Sequence, residues 1–391
     1  MFYPIVCAAS NSPEKLKAKA DYVCDAYDAR PTLQKAIDEA DHLGVSCVLL
    51  QGTYCINSRG ERSRKGALCF YNSAPEQRFY SQNKARYHVL EGAKPPLGYL
   101  DGAVITMGNE LYAALSDSEP FSLFYADGGS PFGRGMMLKN LVVQLPSNQK
   151  PVIVFDGSAA SAVRFEDCWV TGFDPRAVNL ATAEGIPVPH PASVGFRGCC
   201  GSNFYATEWK NLAVQGFGIG FDVGGEHVYC ESLSALYNIY GFAFDCYKGK
   251  RSIEDAADAR AFGVSVYPIT CVNLLDEHNL HMPRFGNASH NGKTRDGWHK
   301  SITITGMNLQ WPNTCPGHTD RTAPDFLSGR RRATEDQLGT WHGSVSYVID
   351  HTTEGSGVNV CDEPFFEEGH GKQIRVTNLF CIMQEENTYD T

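Results

Sequence analysis

Residues 208–222 read EWKNLAVQGFGIGFD, and residues 231–245 read ESLSALYNIYGFAFD. Placed at an offset of 23 residues, both segments begin with glutamate, carry an aromatic-glycine pair in the middle and end in Phe-Asp. A repeat of this length, made of short strands and glycine turns, is typical of one coil of a solenoid, and a parallel β-helix fits it best. We therefore predict that Asp222 and Asp245 lie one above the other on neighbouring coils.

A second pattern recurs along the chain as an Asn-Leu pair. KNLVVQ at residues 139–144 returns as KNLAVQ at residues 210–215, with looser copies at residues 272–274, 307–309 and 377–379. Asparagine is a common turn residue whose amide can satisfy nearby backbone groups. We expect each leucine to point into the core and each asparagine to occupy a turn, where it can bond to the next coil.

The N-terminal region predicts a helix followed by strands. TLQKAI at residues 32–37 carries apolar residues at helical spacing. We expect Thr32 to cap this helix and Gly44 to end it. A strand is predicted at residues 45–50, and GTYCI at residues 52–56 begins another.

These residues resemble the N-terminal start of the pectate-lyase-like superfamily of right-handed β-helix proteins. In that superfamily a T-x-L-Q-x-A-I helix plugs the open end of the solenoid, and a strand then leads into G-T-Y. ADYVCD at residues 20–25 is similar to a longer form found in bacterial and bacteriophage β-helix proteins. Two positions depart from the pattern: DHLGV at residues 41–45 stands where a glycine-rich run is usual, and Gln51 stands where proline is usual.

The resemblance implies an all-β fold, a single-stranded right-handed parallel β-helix with an N-terminal capping helix and long groove-forming loops. We predict a capping segment at residues 1–57 and a β-helix with loop insertions at residues 58–391, in one continuous domain. Insertions in a repeat protein gather on one face and commonly build the binding surface. The segments predicted to wall such a groove are residues 182–191, 249–262, 283–300 and 312–342.

Composition limits the partners. The net charge of −10 argues against nucleic acid, because phosphate binding needs a basic face. The 14 cysteines lack zinc-type spacing, so we expect free thiols, a reducing compartment, no metal and no cofactor. With no signal peptide and no membrane-spanning stretch visible, we expect no membrane partner and synthesis in the cytoplasm, with a phage particle or another export route as alternatives.

Stacked carboxylates are the predicted catalytic groups. Strands roughly 4.8 Å apart would place the side chains of Asp222 and Asp245 about 5 Å apart, near the roughly 5–5.5 Å carboxyl separation of a retaining glycosidase. Glu208 and Glu231 would form a second pair. Crowding Asp222 and Asp245 raises the pKa of one carboxyl, which gives an acid beside a base or nucleophile. If the glutamates face the groove, a Glu/Asp pair from neighbouring coils could serve as acid and nucleophile; on the opposite side they are solvated. The alternative is that both aspartates cap turns through backbone N–H groups.

The densest polar cluster is DEHNLH at residues 276–281, where His278 is a further catalytic candidate. A metal site from Asp276, His278 and His281 is disfavoured, because a strand would place the two histidines on opposite faces. Aromatic rings could stack on sugar rings, or pack the loops. The predicted substrate-binding residues are Trp209, His227, Glu277, His281, Trp298, Trp311 and Trp341.

These patterns predict a carbohydrate-active enzyme, a glycoside hydrolase or glycosyl (fructosyl) transferase that acts on a poly- or oligosaccharide through carboxylates on adjacent coils. The N-T-D and D-D motifs of the pectin hydrolases and the aspartate cluster of the pectate lyases are not evident, so the resemblance leaves the reaction open. The alternatives are a bacteriophage tailspike that binds a receptor and a polysaccharide lyase. A homotrimer is expected by analogy with similar β-helices.

Overall fold

The computed structural model describes most of the N-terminal two thirds of the chain and selected strands beyond it. The residues described are 3–61, 66–71, 87–99, 101–127, 135–158, 160, 163–178, 186–198, 207–224, 228–243, 269–277, 279, 289–290, 293–294, 301–311 and 373–383.

A short N-terminal part precedes the coils. It contains strand β1 (Ile5–Ala8), helix α1 (Glu14–Lys17), strand β2 (Tyr22–Val23) and helix α2 (Arg30–Leu43).

The first four coils each contain three short strands. The first coil has β3 (Cys47–Leu49), β4 (Gly52–Ile56) and β5 (Gly66–Tyr71), and the second has β6 (Tyr87–Gly92), β7 (Ala103–Met107), helix α3 (Asn109–Ala113) and β8 (Phe121–Asp127). The third coil has β9 (Gly135–Lys139), β10 (Leu141–Gln144) and β11 (Val152–Asp156), and the fourth has β12 (Val163–Glu166), β13 (Trp169–Thr171) and β14 (Val194–Arg197).

From the fifth coil onward the first two strands merge into one longer strand. The strands here are β15 (Thr207–Gln215), β16 (Ile219–Asp222), β17 (Val228–Leu236), β18 (Tyr240–Ala243), β19 (Ile269–Glu277), β20 (Ser289–His290), β21 (Lys293–Thr294), β22 (Ser301–Trp311) and β23 (Gln373–Met383). Strands β20 and β21 form a small antiparallel pair inside the third predicted insertion.

Parallel pairing between successive coils builds the solenoid. A 15-stranded sheet has two branches, β2-β1-β3-β6-β9-β12 and β4-β7-β10-β13, which join at β15 and continue through β17, β19, β22 and β23. A six-stranded sheet, β5-β8-β11-β14-β16-β18, forms the third side. The predicted all-β parallel β-helix is confirmed. Its coils begin at β3, inside the segment that we assigned to the cap.

From the third coil to the seventh, the first two sides of the solenoid meet at a bend in which one residue per coil has a left-handed backbone. Asn140, Asp167, Asn211, Ser232 and Asn273 occupy this position with φ between 51° and 57°. Short polar side chains tolerate this conformation, because they can bond locally. The Asn211 amide donates to Asp167 Oδ1 at 3.2 Å, and the Asn273 amide donates to Ser232 Oγ at 3.1 Å. The predicted turn role of these asparagines is confirmed.

One Asn-Leu copy does not belong to this set. Asn273 is followed by Leu274, which pairs with Met307, so the equivalent bend residue in β22 is Gly306, with φ of 71°. The copy at residues 307–309 is therefore two residues out of register, and its predicted turn position is wrong.

Aromatic rings stack along the inside of the six-stranded sheet. Successive ring centroids lie 5.0–5.2 Å apart, close to the strand spacing. This column consists of Phe124, Phe155, Phe196, Phe221 and Phe242, all fully buried. The column makes the core continuous from coil to coil.

The capping helix α2 covers the N-terminal end of this core. Leu33, Ala36, Ile37 and Ala40 are buried, as their helical spacing predicts. The helix ends at Gly44, which is left-handed with φ of 69°, so that prediction is also confirmed. It begins at Arg30, with Ala29 rather than Thr32 at the cap position, so the prediction for Thr32 is wrong.

Gln34 explains why glutamine stands in the T-x-L-Q pattern. Strand β5 is the edge of the six-stranded sheet, so one side of its backbone has no strand partner. The Gln34 side-chain amide donates to Cys69 O at 2.9 Å, and the Cys69 N–H donates to Gln34 Oε1 at 2.8 Å. One side chain thus satisfies both backbone groups of a buried edge residue.

The Gly-Thr-Tyr sequence also has a packing reason. Gly52 has φ of 154°, and a Cβ atom there would lie 2.7 Å from Ala9 Cβ. Two residues later, Tyr54 is fully buried, and its hydroxyl lies 2.9 Å from Cys7 O and 2.8 Å from Leu50 O. Gly52, by its close approach to Ala9, and Tyr54, by its bond to Cys7, anchor the first coil to the N-terminal strand β1 and the residue after it.

We expect Gln34→Ala to lower the free energy of unfolding by about 1–3 kcal/mol, because it leaves a buried N–H and C=O unpaired. Gln51→Ala is the matched control: Gln51 is exposed, and such changes stay within about 0.5 kcal/mol. Urea unfolding followed by circular dichroism measures both. Equal stability of the two variants would contradict the capping role of Gln34.

Candidate functional site

The register of the coils changes the predicted carboxylate pairs. Leu212 pairs with Leu233, and Phe221 pairs with Phe242, so β15–β16 and β17–β18 match at an offset of 21 residues, not 23. Asp222 therefore lies beside Ala243, and the predicted stacking of Asp222 on Asp245 is wrong.

Asp222 belongs instead to a buried polar column on the six-stranded sheet. It pairs in register with Arg197, which pairs with Asp156. Arg197 Nε donates to Asp222 Oδ2 at 2.9 Å, and Ser122 Oγ donates to Asp156 Oδ2 at 2.6 Å. Both aspartates are buried. The Arg197 guanidinium beside the Asp222 carboxylate stabilises its charge, and the geometric reason for a catalytic Asp222 is lost.

Glu208 and Glu231 are not directly stacked either. Glu208 pairs with Tyr229, and Glu231 pairs with Lys210, so the predicted glutamate ladder is wrong. Both glutamates are nevertheless half-buried residues of the same sheet branch, on adjacent coils. In the structure the two glutamates are diagonal neighbours on the adjacent strands β15 and β17.

We call the surface that holds both glutamates the charged strip. It consists of two rows of partly exposed residues in register. The first row has one residue on each of β6, β9, β12, β15 and β17, and the second row has one residue on each of the last four of these strands. The first row is Glu91, Lys139, Glu166, Lys210 and Glu231, and the second is Met137, Arg164, Glu208 and Tyr229.

Charges alternate strictly along the first row. The Lys139 ammonium lies 2.9 Å from Glu166 Oε1, and this hydrogen bond raises the pKa of Lys139. Opposite charges directly across neighbouring strands stabilise a sheet, whereas like charges would repel at this spacing. The alternation therefore keeps carboxylates of one row two coils apart, and close pairs of carboxylates arise only between rows.

Glu208 in the second row lies between a cation and a phenol. Arg164 Nη2 is 3.7 Å from Glu208 Oε1, with each side chain about a third exposed (37% and 36%). On the other side, the Tyr229 hydroxyl donates to Glu231 Oε2 at 3.2 Å, and Lys210 Nζ lies 5.6 Å from the centre of the Tyr229 ring. Partial burial and the bond to Glu231 raise the pKa of Tyr229.

The separation of the two glutamates follows from strand geometry. Glu231 is one coil further and two residues beyond the register partner of Glu208. With strands roughly 4.8 Å apart and an advance of roughly 3.3 Å per residue, their Cα atoms are roughly 8 Å apart. An inverting glycosidase holds its two carboxyl groups roughly 6.5–9.5 Å apart, which leaves room for a water molecule, and glutamate side chains on Cα atoms at this spacing can reach that separation. The charged strip can therefore support acid and base catalysis on opposite sides of one bond.

Trp209 does not belong to this surface. It is fully buried and packs between Phe165 and Phe196, with ring centroids 5.3 and 6.4 Å away. Residues alternate between the two faces of a strand, so its exposed neighbours Glu208 and Lys210 point outward while Trp209 points inward. The prediction that Trp209 stacks on substrate is wrong.

Asp276 and Glu277 are the described members of the predicted polar cluster, with Asn279. Asp276 faces the core beside Ala235, and Glu277 lies half-buried beside Leu236. Asn279 donates to Asp276 Oδ1 and to Ala235 O, and its own oxygen accepts from the Asn238 backbone N–H at 2.7 Å. Burial raises the pKa of Asp276 to about 8, and the bond from Asn279 opposes this rise. Asp276 and Asn279 are thus held in a buried turn of the core.

Several predicted residues lie outside the described part of the chain. They are His227, Asp245, His278, His281, Trp298 and Trp341, together with the side chain of Trp311, the last residue of β22. Their predicted roles stay predictions. Among the described residues, no group of three or more His, Cys, Asp or Glu side chains is arranged to hold a metal ion. Within the same set, no helix is long and apolar enough to cross a membrane.

The sequence reasoning missed Arg164, Tyr229 and Lys210 as neighbours of the glutamates. A signal for Lys210 was present, because the KNL copies at residues 139–144 and 210–215 carry lysine at the same position. Arg164 lies in a coil whose bend residue is Asp167 instead of asparagine, so the Asn-Leu repeat did not identify this coil in the sequence.

The chain is thus a parallel β-helix protein with a charged, partly exposed strip on one sheet branch. No protein-family description matches it, and no curated protein is similar to it at a significant level. Among solved structures, the Azotobacter vinelandii mannuronan C-5 epimerase AlgE4 A-module matches 72% of this chain at 15% identity and a TM-score of 0.38. The match spans 66% of that module, slightly under two thirds of its length. Similarity at this level carries no information on the reaction, so the function has to follow from this chain's own residues.

The raised pKa of Asp276 makes stability depend on pH. The pKa of the Asp276 carboxyl is 3.8 in the unfolded chain and about 8 in the folded protein. The unfolded state is therefore favoured progressively as pH rises between these values. We expect the stability of Asp276→Asn relative to the native protein to rise by at least about 1 kcal/mol from pH 4 to pH 8.

Asp174→Asn is the matched control, because the pKa of Asp174 is shifted in the opposite direction. Arg176 bonds to Asp174 and lowers the pKa of that carboxyl, so its contribution to stability is lost only as pH falls below the ordinary value of 3.8 and changes little between pH 4 and pH 8. Denaturant unfolding at pH 4, 6 and 8 compares the two variants. A pH-independent difference between Asp276→Asn and the native protein would contradict a buried, protonated Asp276.

Proposed function

We propose that this protein is a carbohydrate-active enzyme, a glycoside hydrolase that cleaves a poly- or oligosaccharide bound along the charged strip. The observation that carries the proposal is the diagonal pair Glu208 and Glu231, which are partly exposed on adjacent coils with Cα atoms roughly 8 Å apart. Carboxylates on adjacent coils remain the proposed catalytic groups, although the pair differs from the aspartates.

We assign this pair an inverting mechanism, because Cα atoms roughly 8 Å apart allow the two carboxyl groups to stand roughly 6.5–9.5 Å apart. One carboxyl group protonates the glycosidic oxygen as the C–O bond breaks, while the other takes a proton from a water molecule that attacks the anomeric carbon from the opposite side. This water needs the room that roughly 8 Å provides. Transfer to a sugar hydroxyl instead of water, as in a fructosyl transferase, would use the same two groups.

The surroundings of the two glutamates suggest which one acts as the base and which one donates the proton. The Tyr229 hydroxyl holds Glu231 by a hydrogen bond at 3.2 Å, as suits a base that must be oriented toward water. The contact between Arg164 and Glu208 is long, 3.7 Å, and both side chains are about a third exposed. Such exposed pairs contribute little, so a substrate can displace the guanidinium and take Glu208 as proton donor.

A lyase is less consistent with this surface. A lyase needs a base that removes a sugar ring proton, and burial together with Glu231 raises the pKa of Tyr229, which makes this phenol a poor base at neutral pH. Lysine and glutamate also alternate along the first row, so the strip offers no continuous basic surface for a uronate polymer.

The test is a screen of plant and microbial glycans by thin-layer chromatography, followed by rate measurements on the substrate found. We expect Glu208→Gln and Glu231→Gln to lower the rate by about 100-fold or more, the usual contribution of acid–base catalysis. Glu119→Gln is the matched control, because Glu119 is exposed and lies outside the charged strip. The first-formed sugar should have the inverted anomeric configuration by NMR.

Three outcomes would contradict the proposal. Full activity of both glutamine variants would remove these residues from catalysis. Products absorbing in the unsaturated uronate band would indicate a lyase. Glycan binding without any release of product would instead support a receptor-binding protein of the tailspike kind.

A further inference from the structure

A cavity lies at the N-terminal end of the charged strip, between the end of helix α2 and the start of strand β6. Its volume is about 380 Å³. Polar groups come from Asp41, Ser46 and His88. The apolar walls are Ile37, Ala40, Val45, Val89 and Met137.

His88 is the unusual group of this cavity. Its side chain is only 3% exposed, and Nδ1 lies 3.0 Å from Asp41 Oδ1. Within the described residues, Nε2 has no hydrogen-bond partner. An unpaired buried polar atom costs about 1–3 kcal/mol, and native structures usually satisfy such atoms. Nε2 is also closed to solvent, so a ligand in the cavity would contact this pair through Asp41, whose side chain is 17% exposed.

Strand register links the cavity to the proposed catalytic pair. Met137 of the cavity wall pairs with Arg164, and Arg164 pairs with Glu208. Two strand spacings therefore separate Met137 from Glu208, roughly 10 Å along the solenoid axis. A polymer that runs along the second row from Glu208 would reach the cavity within a few sugar units.

We propose that the cavity is a subsite that binds one neutral sugar ring at the end of the substrate chain. The choice of a sugar rests on the proposed function. A volume of about 380 Å³ is near the lower end of ligand pockets, roughly 300–1,000 Å³, which suits one ring better than an extended chain. Apolar walls face the C–H groups of the ring, while Asp41, positioned beside His88, accepts hydrogen bonds from its hydroxyls. The Asp41 carboxylate would repel a uronate.

The experiment titrates the full-length protein with glucose, mannose, galactose and glucuronate, followed by saturation-transfer NMR. We expect saturable binding of at least one neutral hexose and none of glucuronate. Met137→Trp, which fills the cavity from a half-buried position, and His88→Ala should each weaken hexose binding at least tenfold. Met137→Leu is the matched control and should bind as the native protein does.

The outcomes separate this proposal from the proposed function. Failure of every neutral hexose to bind, or native affinity in Met137→Trp, would overturn the subsite even if Glu208→Gln is inactive. Hexose binding that is lost in Met137→Trp and retained in Glu208→Gln supports the subsite, whatever the activity of Glu208→Gln proves to be. Thermal unfolding of His88→Ala shows whether this variant is folded when its hexose binding is measured. If it does not fold, the hexose binding of Met137→Trp alone tests the subsite.

Discussion

The parallel hydrogen-bond ladder between successive coils is the constraint on which this structure depends. Because each strand pairs in register with the one before and after it, every side chain has a neighbour of the same orientation roughly 4.8 Å away. Inside, this spacing stacks phenylalanine rings at 5.0–5.2 Å. Outside, the same spacing would bring like charges into contact, and lysine and glutamate alternate along the first row instead.

The same constraint shapes the candidate site. Opposite charges must stack within a row, so two carboxylates on adjacent coils can approach only diagonally, as Glu208 and Glu231 do. The Cα atoms of diagonal neighbours are roughly 8 Å apart, whereas those of directly stacked residues would be roughly 5 Å apart. The proposed mechanism is inverting for this reason. The cavity beside His88 lies on the same second row, where the capping helix closes the end of the solenoid.

The capping helix and the bends were predictable because each has a local chemical signature. Leu33, Ala36 and Ile37 are buried at helical spacing, and the asparagines of the bend adopt the left-handed conformation that this residue type tolerates. The partner of Gln34 was not predictable. Its amide bonds to Cys69, a residue of an edge strand 35 positions away, and nothing in the local sequence identifies that contact.

The sequence by itself determined the parallel β-helix and the face on which each strand residue lies, because these follow from periodicity and turn chemistry, and its resemblance to a known superfamily predicted the capped N-terminus. The pairing between coils was decided only by the tertiary structure. Offsets of 21 and 23 residues differ by two, and a strand repeats every two residues, so both place the same side chains inside and outside. Only the backbone hydrogen bonds chose 21, and that choice placed Asp222 beside Ala243 and Glu231 diagonal to Glu208.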